Sequence, residues 1–188
     1  MSEHEPTSPP SSDPAALRQD LMAEYQAILK IVSEFDGRIM IVKGWSVTLS
    51  LAGLALAFQT QHWALFALAS ATALGFWYME TMIKRHQMRY YPRMREIEVA
   101  AYELNRVPIE DGSSVSSPKI DWKWGYTGRG AEYPDAPTRR SPADLRRLLR
   151  RAPWMAHVLV PHAIAVVLGV LLCVLVLTGA PGFEGFTL

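Results

Sequence analysis

The sequence has a single cysteine, Cys173, which excludes an internal disulfide and a cysteine metal cage. It has almost no net charge: 19 Lys and Arg against 18 Asp and Glu leave +1. No bulk electrostatic argument therefore points to nucleic acid. No secretory signal is expected at the start, because "MSEHEPTSPPSSD" is acidic, rich in proline and serine, and without an apolar core. Residues 1–13 read instead as a disordered tail. Catalytic motifs are missing too. There is no G-x-S-x-G, no H-E-x-x-H and no phosphate loop; "GYTGRG" has glycines but no following "GK[ST]". Glu96 and Glu98 are two apart and fall on different helix faces. His157 and His162 are five apart around Pro161, whereas a helical metal pair wants three or four. They read as polar packing residues in a proline-bent helix. No catalytic set, cofactor site or metal site is expected, and the chain is read as no enzyme.

Charge is also missing from three long stretches, and this absence is the strongest signal in the chain. Residues 39–58 carry only Lys43. Residues 63–79 carry no charge and are bounded by Trp63 and by Phe76, Trp77 and Tyr78. Residues 154–178 carry no charged side chain and open on Trp154. A helix rises about 1.5 Å per residue, so about 20 residues cross about 30 Å of hydrocarbon. The first stretch fits that length, the second is short but sufficient, and the third is long enough to tilt. The fold class read from this pattern is an all-α integral membrane protein, with three transmembrane helices and cytoplasmic helical extensions.

Only "QTQH", residues 59–62, separates the first two spans, which forces an antiparallel hairpin. Neither this link nor the tail "GAPGFEGFTL" contains Lys or Arg. By the positive-inside rule, the N-terminus and the long middle segment are cytoplasmic, and the link and C-terminus are outside. His62 and His86 then lie on opposite sides. Lys43 stands one turn inside the first span. It reads either as an anchor, its stem along the helix and its ammonium at the head groups beside interfacial Trp45, or as an intramembrane partner of Glu80. Lys43 is 16 residues before position 59 and Glu80 is 18 after position 62, so the hairpin puts them at similar depth. The small residues Gly44, Ser46, Thr48, Ser50, Ala52 and Gly53, with Ala67, Ser70, Ala71, Ala73 and Gly75, suit close helix packing, within the hairpin or between copies.

The flanking segments carry apolar seams. Residues 14–37 read as a cytoplasmic amphipathic helix, with Asp13 as N-cap, Pro14 in the first turn, and Gly37 breaking or bending it. Leu21, Tyr25, Ile28, Val32 and Phe35 repeat at four, three, four, three. Residues 38–106 hold the hairpin and a following cytoplasmic helix. There Ile83, Tyr90, Met94, Ile97 and Leu104 belong to a seam that keeps phase across Pro92, which predicts one bent helix. The two seams can meet as an antiparallel pair or each meet its equivalent in another protomer, and homo-oligomerisation is expected. Lys84, Arg85, Arg89, Arg93 and Arg95 read as membrane anchoring and contact with anionic lipid.

Residues 107–140 form an irregular cytoplasmic loop in which Trp122, Trp124, Tyr126 and Tyr133 stand among Lys123 and Arg129. Such a mixture can stack on bases, yet packing on the protein or the interface serves it equally, and no nucleic-acid partner is expected. Residues 141–153 read as a basic interfacial helix, with a capping box of Ser141 and Asp144. Leu145, Leu148 and Leu149 make its apolar face. Arg146, Arg147, Arg150 and Arg151 make a basic face for the inner leaflet. Residues 154–178 are the third span and 179–188 an external tail.

"KGWSVTL" and "FWYMETMIKRHQMRYYPRMREIE" carry a resemblance over about residues 17–106. They resemble small bacterial membrane proteins in which K-x-W-S-V-T opens a two-span hairpin and an aromatic, acidic stretch leads into a charged helix. The layout is similar to the SLATT class of bacterial conflict-system effectors. The resemblance implies a bacterial inner-membrane location and a pore formed when a nucleotide sensor acts on the effector. The third span and the loop before it lie outside that two-span plan. The expected function is a non-enzymatic membrane effector or scaffold, homo-oligomeric and pore-forming, with a cytoplasmic protein as a further partner. Two other classes stay open: an accessory subunit of a larger membrane complex, and a small transporter or membrane enzyme using Lys43, Glu80, His157 or His162.

Overall fold

The computed structural model describes residues 13–110, 112–117 and 142–186. Among them the chain is mostly helical: α1 (Pro14–Thr60), α2 (Ala64–Gln87), α3 (Tyr91–Leu104), a strand pair β1 (Val107–Pro108) and β2 (Ser114–Val115), α4 (Pro142–Arg151), a 3₁₀ turn (Ala152–Trp154) and α5 (Ala156–Leu177). The aromatics of the middle loop and the Ser141–Asp144 capping box lie outside the described residues and side chains.

α1 starts as the sequence dictates. Asp13 Oδ1 accepts from the Ala15 N–H at 2.9 Å, and Pro14 fills a position whose N–H would be orphaned. Gly37 neither ends nor divides it; α1 is one helix from Pro14 to Thr60. A mid-helix glycine costs about 1 kcal/mol against alanine, which long helical flanks absorb. A stop needs the left-handed backbone, which Gly37 does not adopt. The left-handed residue comes at Gln61, φ 57°, where the chain turns into α2.

Pro92 departs from expectation in the other direction. α2 stops at Gln87, and α3 begins at Tyr91 with Pro92 in its first turn. The Met88 and Arg89 N–H groups close the end of α2 on Lys84 O (2.9 Å) and His86 O (3.2 Å). A helix continuous through Pro92 would drive the proline ring against the carbonyl four residues back; in the first turn of a new helix the missing N–H has no helical acceptor to lose.

The described residues divide into two compact units: 13–32 with 90–110 and 112–117, and 33–89 with 142–186. In the first, Ile28 and Val32 of α1 bury against Met94 and Ile97 of α3, flanked by Leu21, Tyr25, Tyr90 and Tyr91. Arg18 Nη2 donates to Leu104 O at 2.6 Å, at the end of α3 where carbonyls lack helical partners. β1 and β2 pair antiparallel, Val107 with Val115, around Gly112 at φ 81°.

In the second unit α1, α2 and α5 form a three-helix bundle. Leu54, Ala57, Phe66, Ala69 and Val176 form its core. At this end Phe183 and Phe186, beyond α5, pack with Phe58 and Phe66; the Phe58–Phe66 centroids are 5.1 Å apart, edge to face. At the opposite end Trp77 Nε1 donates to Pro153 O at 3.1 Å and meets the Trp154 ring. Small residues set the spacing. A Cβ on Gly169 would strike Ser70 and come within 2.9 Å of Phe66 O; one on Gly53 would lie 3.2 Å from Ala69 Cβ.

Two helical stretches, Pro14–Thr60 and Leu145–Leu177, are long and apolar enough to cross a membrane. Their most apolar segments are only 22% and 17% buried, unlike the core helix of a soluble protein. α2 falls short of the same measure: its uncharged run ends in Trp77 and Tyr78 and then meets Glu80.

Candidate functional site

Three helices of the second unit converge on one buried carboxylate. Lys43 and Ser46 are three apart on α1 and share a face. Glu80 lies on the last turns of α2 and His162 on the second turn of α5, just after Pro161. Lys43 Nζ is 3.0 Å from Glu80 Oε1, an ion pair that lacks hydrogen-bond alignment. His162 Nε2 is 2.9 Å from Glu80 Oε2, and His162 Nδ1 is 2.8 Å from Ser46 Oγ. Glu80 is 0% exposed, while Ser46 and His162 are 1% exposed. The Lys43 side chain retains 19%, so its stem runs from the cluster toward the outside.

A neutral imidazole protonated on Nε2 satisfies the whole line: it donates to Glu80 and accepts from Ser46. Glu80 and Lys43 then cancel, and the buried set is neutral. This matters because isolated buried charge is expensive, and a buried pair persists only where each partner is held. The order hydroxyl, imidazole, carboxylate is also that of a hydrolytic relay, which the sequence alone did not suggest. Here the hydroxyl is closed off from any substrate, and the geometry is that of a clamp across three helices.

A second polar group lies nearby in the same unit. Lys84 Nζ donates to Gln87 Oε1 at 2.6 Å, and Gln87 Nε2 donates to Asp36 Oδ1 at 2.7 Å. Burial holds the Lys84 ammonium below the ordinary lysine range, with Asp36 and Glu80 opposing that shift and Lys43 adding to it. His157, the other histidine of α5, is exposed and outside the clamp.

The remaining expected residues fall as follows. Trp45 is 57% exposed on α1. Leu21, Tyr25, Ile28, Val32, Tyr90, Met94 and Ile97 pack together inside one chain, so this part of the seam is not a free oligomer surface. The reason is topological: a short turn returns α3 to the start of α1, and each seam covers the other. Phe35, under the Arg38 guanidinium at 5.8 Å, and Ile83 are half-buried in the second unit, and Leu104 is half-buried in the first. Arg146, Arg147, Arg150 and Arg151 are exposed on α4, whose Leu149 is buried. Of the basic run from the last turn of α2 into α3, Lys84 is half-buried and Arg95 is buried. Arg93 grips Glu24 with two bonds of 2.7 Å and also reaches Glu96 at 3.3 Å. That grip holds the Glu24 carboxyl below, and the Arg93 guanidinium above, their ordinary values.

Sequence reasoning named His162 only as a candidate for a polar intramembrane site and Ser46 only as a small packing residue; it did not join either to Glu80, and it gave Asp36 and Gln87 no place in a polar group. Depth held a clue: Ser46 is seven residues past the start of the first span and His162 eight past the start of the third. Among the described residues no three His, Cys, Asp or Glu side chains are grouped to hold a metal. Comparison with protein-family models, with curated proteins and with solved structures gives no match to this chain.

Proposed function

We propose that the chain is a three-span membrane protein that acts as a non-enzymatic effector or scaffold, assembling with copies of itself into a pore-forming oligomer. The observation that carries the membrane reading is the outward face of the second unit. Ile41, Val47, Leu51, Leu68, Ile164, Val167 and Leu171 are all exposed, with many more large apolar side chains around them. Single exposed apolar residues are ordinary, but a belt of them on every helix of a bundle suits hydrocarbon and not water.

Basic residues support the direction. Lys43, Lys84 and the arginines of α4 belong to one end of the bundle, and the phenylalanine end has no Lys or Arg. On this reading that basic end faces the cytoplasm of a bacterial cell, with α4 on anionic lipid. The clamp around Glu80 then sits near the cytoplasmic edge of the bilayer and holds the helices in register.

Oligomer contacts fall on positions the chain leaves open. Gly44, Thr48 and Ala52 on α1, and Ala67, Ala71 and Gly75 on α2, are exposed, and a Cβ at Gly44 or Gly75 would meet nothing within 4 Å. Small residues let a second backbone approach closely in lipid. Cysteines placed at Thr48 or Ala71, with Cys173 replaced by serine, test this. Oxidation in native membranes should give a disulfide-linked dimer from at least one position. Monomer alone at both would remove the oligomer.

A further inference from the structure

Glu80 faces two side chains that can each carry a positive charge, and it holds them differently. Lys43 Nζ stands 3.0 Å from Oε1, an oxygen that accepts no hydrogen bond. His162 Nε2 makes a hydrogen bond of 2.9 Å to Oε2. The lysine is therefore held by charge alone and the histidine by an aligned bond. Their surroundings differ too. The Lys43 side chain is 19% exposed, so its stem leads out of the bundle, whereas His162 is 1% exposed and enclosed.

The imidazole has room for a second proton without loss of a hydrogen bond. In the neutral ring, Ser46 Oγ donates to Nδ1 across 2.8 Å. A proton added to Nδ1 turns that bond round: the ring N–H donates and the hydroxyl oxygen accepts. The hydroxyl hydrogen then needs a new acceptor, which a serine within a helix finds in the carbonyl four residues back. Ser70 makes that bond in this same bundle, to Phe66 O at 3.1 Å. Charge is what fails to balance. Lys43, Glu80 and a charged His162 together would leave one positive charge in a buried site, which is strongly disfavoured. The neighbouring groups do not cancel it. Asp36 of α1 and Lys84 of α2 are joined through Gln87 and offset each other. His157 of α5 is exposed, and so are the arginines of α4, which add only positive charge.

We propose that Glu80 serves one cation at a time: the Lys43 ammonium while His162 is neutral, and the His162 imidazolium once the site has taken up a proton from solvent, with Lys43 withdrawing along its stem. The step forms one N–H bond at Nδ1, reverses one hydrogen bond and leaves the buried set neutral. Its consequence is selective. In the proton-loaded form α5 still joins α1 through Ser46 and α2 through Glu80, but the direct ionic tie between α1 and α2 is released. The proposal goes beyond the effector reading and does not depend on it, since it concerns the charge states of one buried set.

The test uses the full chain in detergent, with isotope-labelled histidine rings and isotope-labelled methyl tags on the lysine amines. His162→Asn and Lys43→Met identify the two signals by their loss. On acidification from about pH 8 to about pH 5, the His162 ring should pass from its Nε2-protonated form to the imidazolium. At the same midpoint the Lys43 tag should become accessible to a water-soluble paramagnetic agent. Lys43→Met should leave His162 an imidazolium already near neutrality, its proton bound at least tenfold more tightly than in the unaltered chain. Adding Glu80→Gln to Lys43→Met should abolish that gain. A His162 ring that stays neutral in Lys43→Met, or that gains its proton while Lys43 remains shielded, would overturn the proposal. If Lys43→Met does not fold, the paired titration of the unaltered chain still decides: coincident midpoints uphold exchange, and separate midpoints or a ring neutral down to about pH 5 refute it.

Discussion

Glu80 is the residue on which most depends, because its two carboxylate oxygens face Lys43 of α1 and His162 of α5 from a fully buried position on α2. Removing it leaves the Lys43 ammonium and the His162 imidazole without their acceptor in a buried site. Breaking one side of a buried pair costs about 3–5 kcal/mol, so Glu80→Ala should lower stability by that order in detergent denaturation. Glu80→Gln keeps the shape and should cost less. Ser46→Ala removes only one neutral bond and should cost about 1 kcal/mol. If Glu80→Ala and Ser46→Ala prove equal, the clamp is not what holds the bundle. Glycines give a second contrast at this scale. Gly169→Ala pushes a methyl into Ser70 and the Phe66 carbonyl, so it should destabilise by about 1–3 kcal/mol. Gly75→Ala, with open space around it, should leave the folded monomer as stable as before or slightly more so. The Lys43–Glu80 pairing was readable from hairpin arithmetic, since one short link fixes the register of two helices. Their link to His162 was not, because nothing local relates positions 82 residues apart.

At the scale of elements, hydropathy placed the helices well and their ends badly. The long uncharged runs are helices, the conformation in which a backbone satisfies its own hydrogen bonds without water. Gly37 and Pro92 were weighed against their flanks with opposite outcomes: helical flanks carried α1 through the glycine, whereas at Pro92 the proline prevailed over the in-phase seam and a new helix starts there. The α1–α3 pair shows the same limit. Its heptad spacing was visible, but spacing alone does not say whether the partner seam belongs to the same chain. The grip of Arg93 on Glu24 joins these two helices at the surface, and its pH dependence follows from direction. The folded Glu24 carboxyl lies below its ordinary value of about 4.5. The pair's support is therefore complete above that pH and is lost as pH falls through the folded value. Between about pH 6 and pH 3, wild type should lose more thermal stability than Glu24→Gln. Parallel losses would show that the pair contributes nothing, the usual outcome for a poorly formed surface ion pair.

At the scale of the whole molecule, two helical stretches pass the test of length and apolarity, and the proposal adds α2 as a third span by the hairpin that joins it to α1. The sequence carried this reading through where its basic residues are missing, a property of the chain as a whole that no single motif displays. It did not tell the open small residues from the packed ones, because those used inside the bundle, such as Gly53 and Ala69, look the same in sequence as those left exposed, such as Gly44 and Ala71. The most direct test is cysteine accessibility in intact cells, with Cys173 replaced by serine and single cysteines placed at Gln61, Arg89 and Glu184. A membrane-impermeant maleimide added outside should label positions 61 and 184 and reach 89 only after the cells are opened. Labelling of 61 and 184 from opposite sides, or recovery of the chain in the soluble fraction without detergent, would contradict the account.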